Sequence, residues 1–291
     1  MAKPTRRILN RVAESRTLGT IAMRTPGMAH AGRRAAHRYV AGETLPEALA
    51  VVDRLHAEGF ATAIDVFGEA VKDPARVEKA VACYLRVNEQ IAQLEPRVNV
   101  WVDLSNLGLD ISRELCLRSV ERILDTLPRG SLLQLRAHGS GRADRILDIA
   151  LGLAAAGAPV MPTLQAHLRR SSQDADRLIA ARVPVLLVKG ATLEPPGAAY
   201  EWGEQADLAF LRLAHQLHSG GCQLAIGTHD PAIREALLAG LPGIRVEMLL
   251  GVRPGDGANL LRRGHHVRIY VPFGRDWFRY WIRRVAEARR S

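Results

Sequence analysis

The chain has 291 residues, 47% hydrophobic and 24% charged, which suits one large single-core domain or two small ones. No run of 18 apolar residues exists to span a membrane, and no apolar stretch before a cleavage site reads as a signal peptide. Three scattered cysteines (Cys83, Cys116 and Cys222) lack CxxC spacing, which speaks for a reducing, cytoplasmic setting and against a disulfide framework or structural zinc.

The formal charge is +10, concentrated at the ends. Residues 1–40 sum to +8 and residues 262–291 to +7, so the 221 residues between them are mildly acidic at −5. Aromatics are only 5%, and no helix-turn-helix, zinc-finger or RRM pattern appears, so nucleic acid is an unlikely partner. Residues 1–42 read as a basic arm, irregular or partly helical, and residues 43–291 as the catalytic domain.

From residue 44 a rhythm begins. TLPEALAVVDRLHAEGF is helical, with Thr44 as N-cap, Pro46 in the first turn and Gly59 just past the end. Short apolar runs then alternate with longer amphipathic segments. The runs are ATAIDVF (61–67), VNVWVDL (98–104), SLLQLR (131–136), PVMPTLQ (159–165), VPVLLVK (183–189), CQLAIGT (222–228), IRVEMLL (244–250) and HVRIYVP (266–272). Each is continuous rather than alternating, as in strands buried on both faces of a parallel sheet. Eight such strands, each followed by a helix, predict a single (β/α)8 barrel. The competing doubly wound sheet predicts a GxGxxG turn after the first strand, and none is present.

In a barrel the chemistry sits at the C-terminal ends of the strands. The polar residues there are Asp65, Asp103, Arg136 with His138, Gln165 with His167, Lys189, Thr228 with His229, Glu247 and Tyr270. The closing segment FGRDWFRYWIRRVAEARRS puts Tyr280, Arg283, Arg284 and Glu287 on one helix face directly after strand eight. A short-tethered helix carrying two arginines makes a clamp for a carboxylate or phosphate over the barrel mouth. Plainer roles exist for several of these residues: a surface pair for Arg283 and Glu287, a snorkelling core lysine for Lys189, a satisfied loop histidine for His229, a turn cap for Asp65.

From about residue 60 to the C-terminus the sequence resembles the proline dehydrogenase family of flavoenzymes. The blocks that carry the resemblance are AIDVFGEAV, LSNLGLD, LQAHLRRSSQD, LLVKGATLEP, GTHD, MLLGVR and VRIYVPFGRDWFRYWIRRVAE, in that order. The resemblance implies a (βα)8 barrel, FAD as cofactor and an amino-acid substrate. It implies that Arg283 and Arg284 pair with the substrate carboxylate, that Tyr270 and Tyr280 wall its ring, and that Glu287 orients the arginines. Gln165, Lys189, Gly190, Thr228 and His229 fall where the family holds FAD. The implied reaction is oxidation of L-proline, or a related cyclic or N-substituted amino acid, to an imine by hydride transfer to the flavin. Neither the electron acceptor nor the oligomeric state is implied.

The departures are specific. The family has Lys in the place of Asp103 and Asp-Met-Glu where this chain reads Arg136-Ala137-His138. Leu186 stands where the family has an arginine against the flavin, and Thr192 where it has a tyrosine. Asp103 and Arg136, ending neighbouring strands, read as one ion pair with reversed polarity, so a direct salt bridge at about 2.7–3.2 Å is expected. Two other classes stay open: a flavin-free homologue doing non-redox or metal-assisted chemistry on a carboxylate-bearing metabolite, and a catalytically silent ligand-binding homologue. For a metal the residues would be Asp103, His138 and His167, although strand one lacks the His-x-His of histidine-rich barrel hydrolases.

Overall fold

Apolar runs buried on both faces satisfy their backbone groups only by pairing with one another, and in this chain the pairing closes on itself. The computed structural model describes residues 36–68, 70–190 and 192–288, without the side chains of residues 279, 283 and 285–288. The first half runs α1 (Leu45–Ala57), β1 (Ala61–Val66), α2 (Pro74–Ile91), β2 (Asn99–Val102), α3 (Arg113–Asp125), β3 (Leu133–Leu135), α4 (Ser140–Ala155) and β4 (Val160–Gln165). The second runs α5 (Ser171–Ala180), β5 (Val185–Val188), α6 (Glu204–Ser219), β6 (Leu224–Gly227), α7 (Pro231–Gly240), β7 (Arg245–Leu249), α8 (Pro254–Arg262), β8 (Val267–Phe273) and α9 (Trp277–Ala288). The strands form a closed parallel barrel in sequence order, β8 returning to β1 along six residue pairs. No helix among the described residues is long and apolar enough to cross a membrane.

Alternate residues of each strand enter different layers. Val100, Val102, Leu133, Leu135, Val185, Leu187, Leu224 and Ile226 pack outward with the helices in the main core. Their neighbours turn inward. Met161, Leu186 and Ala225 form a separate apolar cluster in the lumen, with Trp101 against it. The rest of the lumen is polar. Gln134 on β3 donates through Nε2 to Glu247 on β7 at 2.9 Å, and Arg268 on β8 approaches the same carboxylate at 3.3 Å. Glu247 therefore lies inside the barrel, below the mouth where the sequence placed it, and burial pushes its carboxyl up.

Both ends of the barrel meet at one place. α1 begins at the expected cap, where Glu47 Oε2 accepts from the backbone N–H of Thr44 at 2.9 Å. The residues just before it pack on the closing helix: Ala36 and Val40 are buried with Tyr270, Trp277 and Tyr280. Ala41 donates its N–H to the carbonyl of Pro272 at 2.8 Å, Gly274 to that of Gly42 at 3.0 Å, and the Trp277 indole to Glu43 at 2.9 Å. The described end of the predicted arm is thus part of the barrel's upper wall; residues 1–35 lie outside the described residues.

Gly251, in the loop after β7, has φ +72°, and a Cβ there would sit 1.8 Å from the carbonyl oxygen of Arg38. Gly251→Ala is expected to lower stability in urea denaturation by about 2–3 kcal/mol, through both the strained φ and the displaced segment. An unchanged midpoint would mean that residues 36–42 shift without cost.

Candidate active site

The mouth is built around a guanidinium. Arg136, one residue past β3, reaches beneath β2 to Asp65 on β1, donating through the Nη2 atom to its carboxylate and to the Tyr270 hydroxyl at 2.8 Å. Tyr270 itself donates to Asp65 through a short hydrogen bond. The guanidinium carbon stands 5.7 Å from the Trp101 ring centre, and Trp101 meets Tyr270 edge-on at 5.2 Å. Asp65 is fully buried. Burial pushes its carboxyl up to about 6, in spite of Arg136 and Tyr270.

Asp103 does not pair with Arg136 as the sequence suggested. Its closest approach is 4.0 Å, between Asp103 Oδ2 and Arg136 Nε. The Asp103 carboxylate instead closes a tight local turn, accepting from the N–H of Ser105 at 2.8 Å and its hydroxyl at 2.7 Å, and it meets His138 Nε2 at 2.7 Å. A short side chain finds donors two residues on; a long guanidinium reaches past its neighbour to an otherwise unpaired carboxylate. Burial raises the Asp103 carboxyl, but the hydrogen bond from His138, with the charge of Arg136 and the bond from Ser105, outweighs it and holds it down at about 2. Two carboxylates of one site are thereby pushed apart.

Two tyrosines and a cation form the opposite wall. The Tyr280 ring, 5% exposed, lies 6.0 Å from Tyr270 and 5.3 Å from Phe67. The Arg284 guanidinium sits 5.0 Å over the Tyr280 ring. The side chains of Arg283 and Glu287 lie outside the described residues.

The remaining predicted residues ring the mouth at the tops of β4 to β6. Gln165 donates to the carbonyl of His138 at 2.8 Å, and Thr192 donates to Glu194 and lies 3.4 Å from Gln165 Oε1. Lys189 is held between Asp207 at 2.7 Å and Asp230 at 3.0 Å. Thr228 accepts from the N–H of Asp230 at 3.2 Å, which tightens the turn into α7. His229 Nε2 accepts from the N–H of Leu249 at 3.2 Å, so the proton sits on Nδ1, which is buried without a partner among the described residues. Burial, then Arg284, Arg234 and Arg253, holds this ring at about 4. His167 is not brought to Asp103 and His138. Its ring stacks on Trp202 at 5.3 Å and fills the space a Cβ at Gly190 would need, 1.9 Å from Nδ1. Among the described residues no group of His, Cys, Asp or Glu is arranged to hold a metal ion, so the three-residue metal site does not form.

Comparison with known proteins decides the family. The proline dehydrogenase family model matches residues 48–291. A proline dehydrogenase of Deinococcus radiodurans is 32% identical over 269 residues, 88% of this chain and 87% of the relative. The chain belongs to the proline dehydrogenase family. Proline dehydrogenase 1 of Bacillus subtilis is 29% identical over 89% of this chain and 88% of its own length. Among solved structures, proline utilization A of Bdellovibrio bacteriovorus, inactivated by N-propargylglycine, superposes with a TM-score of 0.78 over 97% of this chain. The corresponding protein of Corynebacterium freiburgense gives 0.73 over the whole chain. Both are 16% identical, a likeness of fold alone, and this chain spans only about a third of their length, 36% and 34%.

Within this family of oxidoreductases, one site residue escaped the sequence reading: Trp101, whose ring packs against the Arg136 guanidinium. Asp65, read at a strand end with a turn cap as its plainer role, is the buried counter-ion. The available signal for Asp65 was a carboxylate inside an apolar strand, which has to find a cation.

Two outcomes test this geometry. Arg136→Met is expected to cost about 3 kcal/mol by leaving Asp65 unpaired, with much of that recovered in Arg136→Met/Asp65→Asn. A cycle with Asp103→Asn should give the smaller coupling; equal couplings would contradict the arrangement. The second concerns His229, whose folded value of about 4 lies below its ordinary 6.5. Its contribution is complete above pH 6.5 and is lost as pH falls toward 4, about 2 kcal/mol by pH 5. In His229→Gln the fall in melting temperature between pH 7 and pH 5 should be shallower than in the wild type.

Proposed function

We propose that the protein oxidises L-proline, or a closely related cyclic or N-substituted amino acid, to the corresponding imine, with FAD as the hydride acceptor. The observation that carries this reading is the aromatic wall of Tyr270 and Tyr280, whose rings are in contact at 6.0 Å, with the Arg284 guanidinium 5.0 Å over the Tyr280 ring. An aromatic wall with a cation beside it suits one face of a small ring bearing a carboxylate. Arg283 and Glu287, on the same helix, complete the clamp in this proposal.

The residues present fit a flavin. Lys189, Gly190, Gln165, Thr228 and His229 are grouped at the tops of three adjacent strands, and the buried His229 Nδ1 and Thr163 Oγ1 lack protein partners among the described residues. Leu186, Met161 and Ala225 give a flat ring an apolar bed. Leu186 contributes no hydrogen bond, and Lys189 is already shared by Asp207 and Asp230. Both features favour modest affinity. Bound flavin supplies a two-electron acceptor for the hydride that leaves the carbon next to nitrogen. The chain does the rest by orientation and exclusion of water. Arg284 and Arg283 fix the carboxylate, Tyr270 is locked by Asp65 and Arg136, and Tyr280 closes over the ring. The free cysteines fit a cytoplasmic setting.

Titration of purified protein with FAD should quench tryptophan fluorescence to a plateau, and L-proline should bleach the bound flavin under anaerobic conditions. Lys189→Met should weaken FAD about tenfold, the loss of one charge-assisted contact. No plateau at high micromolar flavin would sink the proposal.

A further inference from the structure

The clamp and the flavin contacts leave one polar device unused, the Asp103–His138 pair on the wall formed by β2 and β3. Asp103 keeps 2% of its side chain exposed and His138 keeps 13%, so the imidazole is the more accessible member of the pair. Three contacts converge on the single atom Asp103 Oδ1: Ser105 N–H at 2.8 Å, Ser105 Oγ at 2.7 Å and His138 Nε2 at 2.7 Å. An ionised carboxylate only accepts hydrogen bonds, so His138 Nε2 carries a proton and Nδ1 is the ring nitrogen left to accept another. The His138 backbone is held as well, since its carbonyl accepts from Gln165 Nε2 at 2.8 Å. The ring is therefore fixed in tautomer and anchored in place, the second-group orientation that general bases require. The other charges beside the pair are Arg136, with Nε at 4.0 Å from Asp103, and beyond it Asp65.

A cyclic amino acid reaches the site as an ammonium carboxylate. A hydride cannot leave the carbon next to nitrogen while nitrogen's electron pair is engaged in a fourth bond, so one ammonium proton has to go first. We infer that His138 takes that proton through Nδ1, with Asp103 as the positioning residue that holds the ring in its accepting tautomer. The inference rests on the function proposed above. In the step, the substrate N–H bond breaks, its electron pair stays on nitrogen, and the proton forms a bond to Nδ1. An imidazolium results beside the Asp103 carboxylate. The freed pair would then be available to form the C=N bond as the hydride leaves, a bound flavin supplying the two-electron acceptor. The imidazolium later returns its proton to solvent.

The test reads the ring itself. Protein labelled with 15N-histidine is saturated with FAD and reduced with dithionite, so that bound proline cannot turn over. Loss of one signal pair in His138→Gln identifies the ring. L-proline should convert that ring from neutral to cationic. Tetrahydrofuran-2-carboxylate, which has the same ring and carboxylate but oxygen in place of nitrogen, should bind and leave it neutral. In Asp103→Asn, L-proline should no longer produce the cation, while affinity for the ether carboxylate stays within about twofold. In turnover, His138→Gln should lower kcat by about a hundredfold or more with a smaller change in KM. A ring that stays neutral with both ligands bound, or that is cationic before either is added, overturns the inference and leaves the proposed function standing. Failure of both ligands to shift any signal overturns the clamp and this inference together.

Discussion

A guanidinium inside a closed barrel has few places to go. Arg136 enters the lumen one residue past β3, and the nearest unsatisfied anion is Asp65, two strands away on β1. Meeting it draws the cation across the face of Trp101 and under the Tyr270 hydroxyl, which bonds both partners. The position of the tyrosine wall follows, because the Tyr270 ring is held at its phenolic end and by Trp101 at its edge. So does the freedom of Asp103. With Arg136 committed elsewhere, that carboxylate is left to Ser105 and His138. An arginine shorter by one methylene would rearrange three strands' worth of contacts.

The fold was legible because its signals are redundant. Eight continuous apolar runs, each with a helix behind it, admit few arrangements besides a closed parallel barrel, and the lumen tolerates polar residues such as Gln134 and Glu247 without spoiling the outward pattern. The membership of the site was also legible, since strand ends of a barrel converge whatever their sequence. The pairing was not. Asp103 and Arg136 do end neighbouring strands, but adjacency fixes Cα positions and leaves a long side chain several partners. His167 shows the same limit: its strand-end position was right, yet Gly190 and Trp202 enclose the ring elsewhere. Residues 36–42 carried no periodicity to announce that they pack on the closing helix, because their contacts are a few backbone bonds and two small apolar side chains.

The β2–β3 wall carries Asp103, Arg136 and His138 in an internally balanced set, each buried charge having an opposite or a hydrogen-bonding partner. The β4–β6 side keeps Gln165, Lys189, Thr228 and His229 but ties each into local structure. Tyr270 and Tyr280 stand with their rings in contact and Arg284 over Tyr280. One half of the mouth is built on charge pairing and the other on aromatic contact.

The seam between the residues preceding α1 and the first turn of α9 bears on how a ligand would be held. A terminal helix anchored only by its own preceding strand frays, and a ligand that needed it would have to supply the ordering entropy at each binding event. Here the helix start is joined to the segment preceding α1 through Trp277 with Glu43 and Gly274 with Gly42, and the same seam continues through Ala41 to Pro272. The wall is ordered when the barrel folds. Its protection from hydrogen exchange should accordingly follow the barrel as one cooperative unit, and a ligand entering the mouth meets a preorganised surface rather than a segment it must first settle.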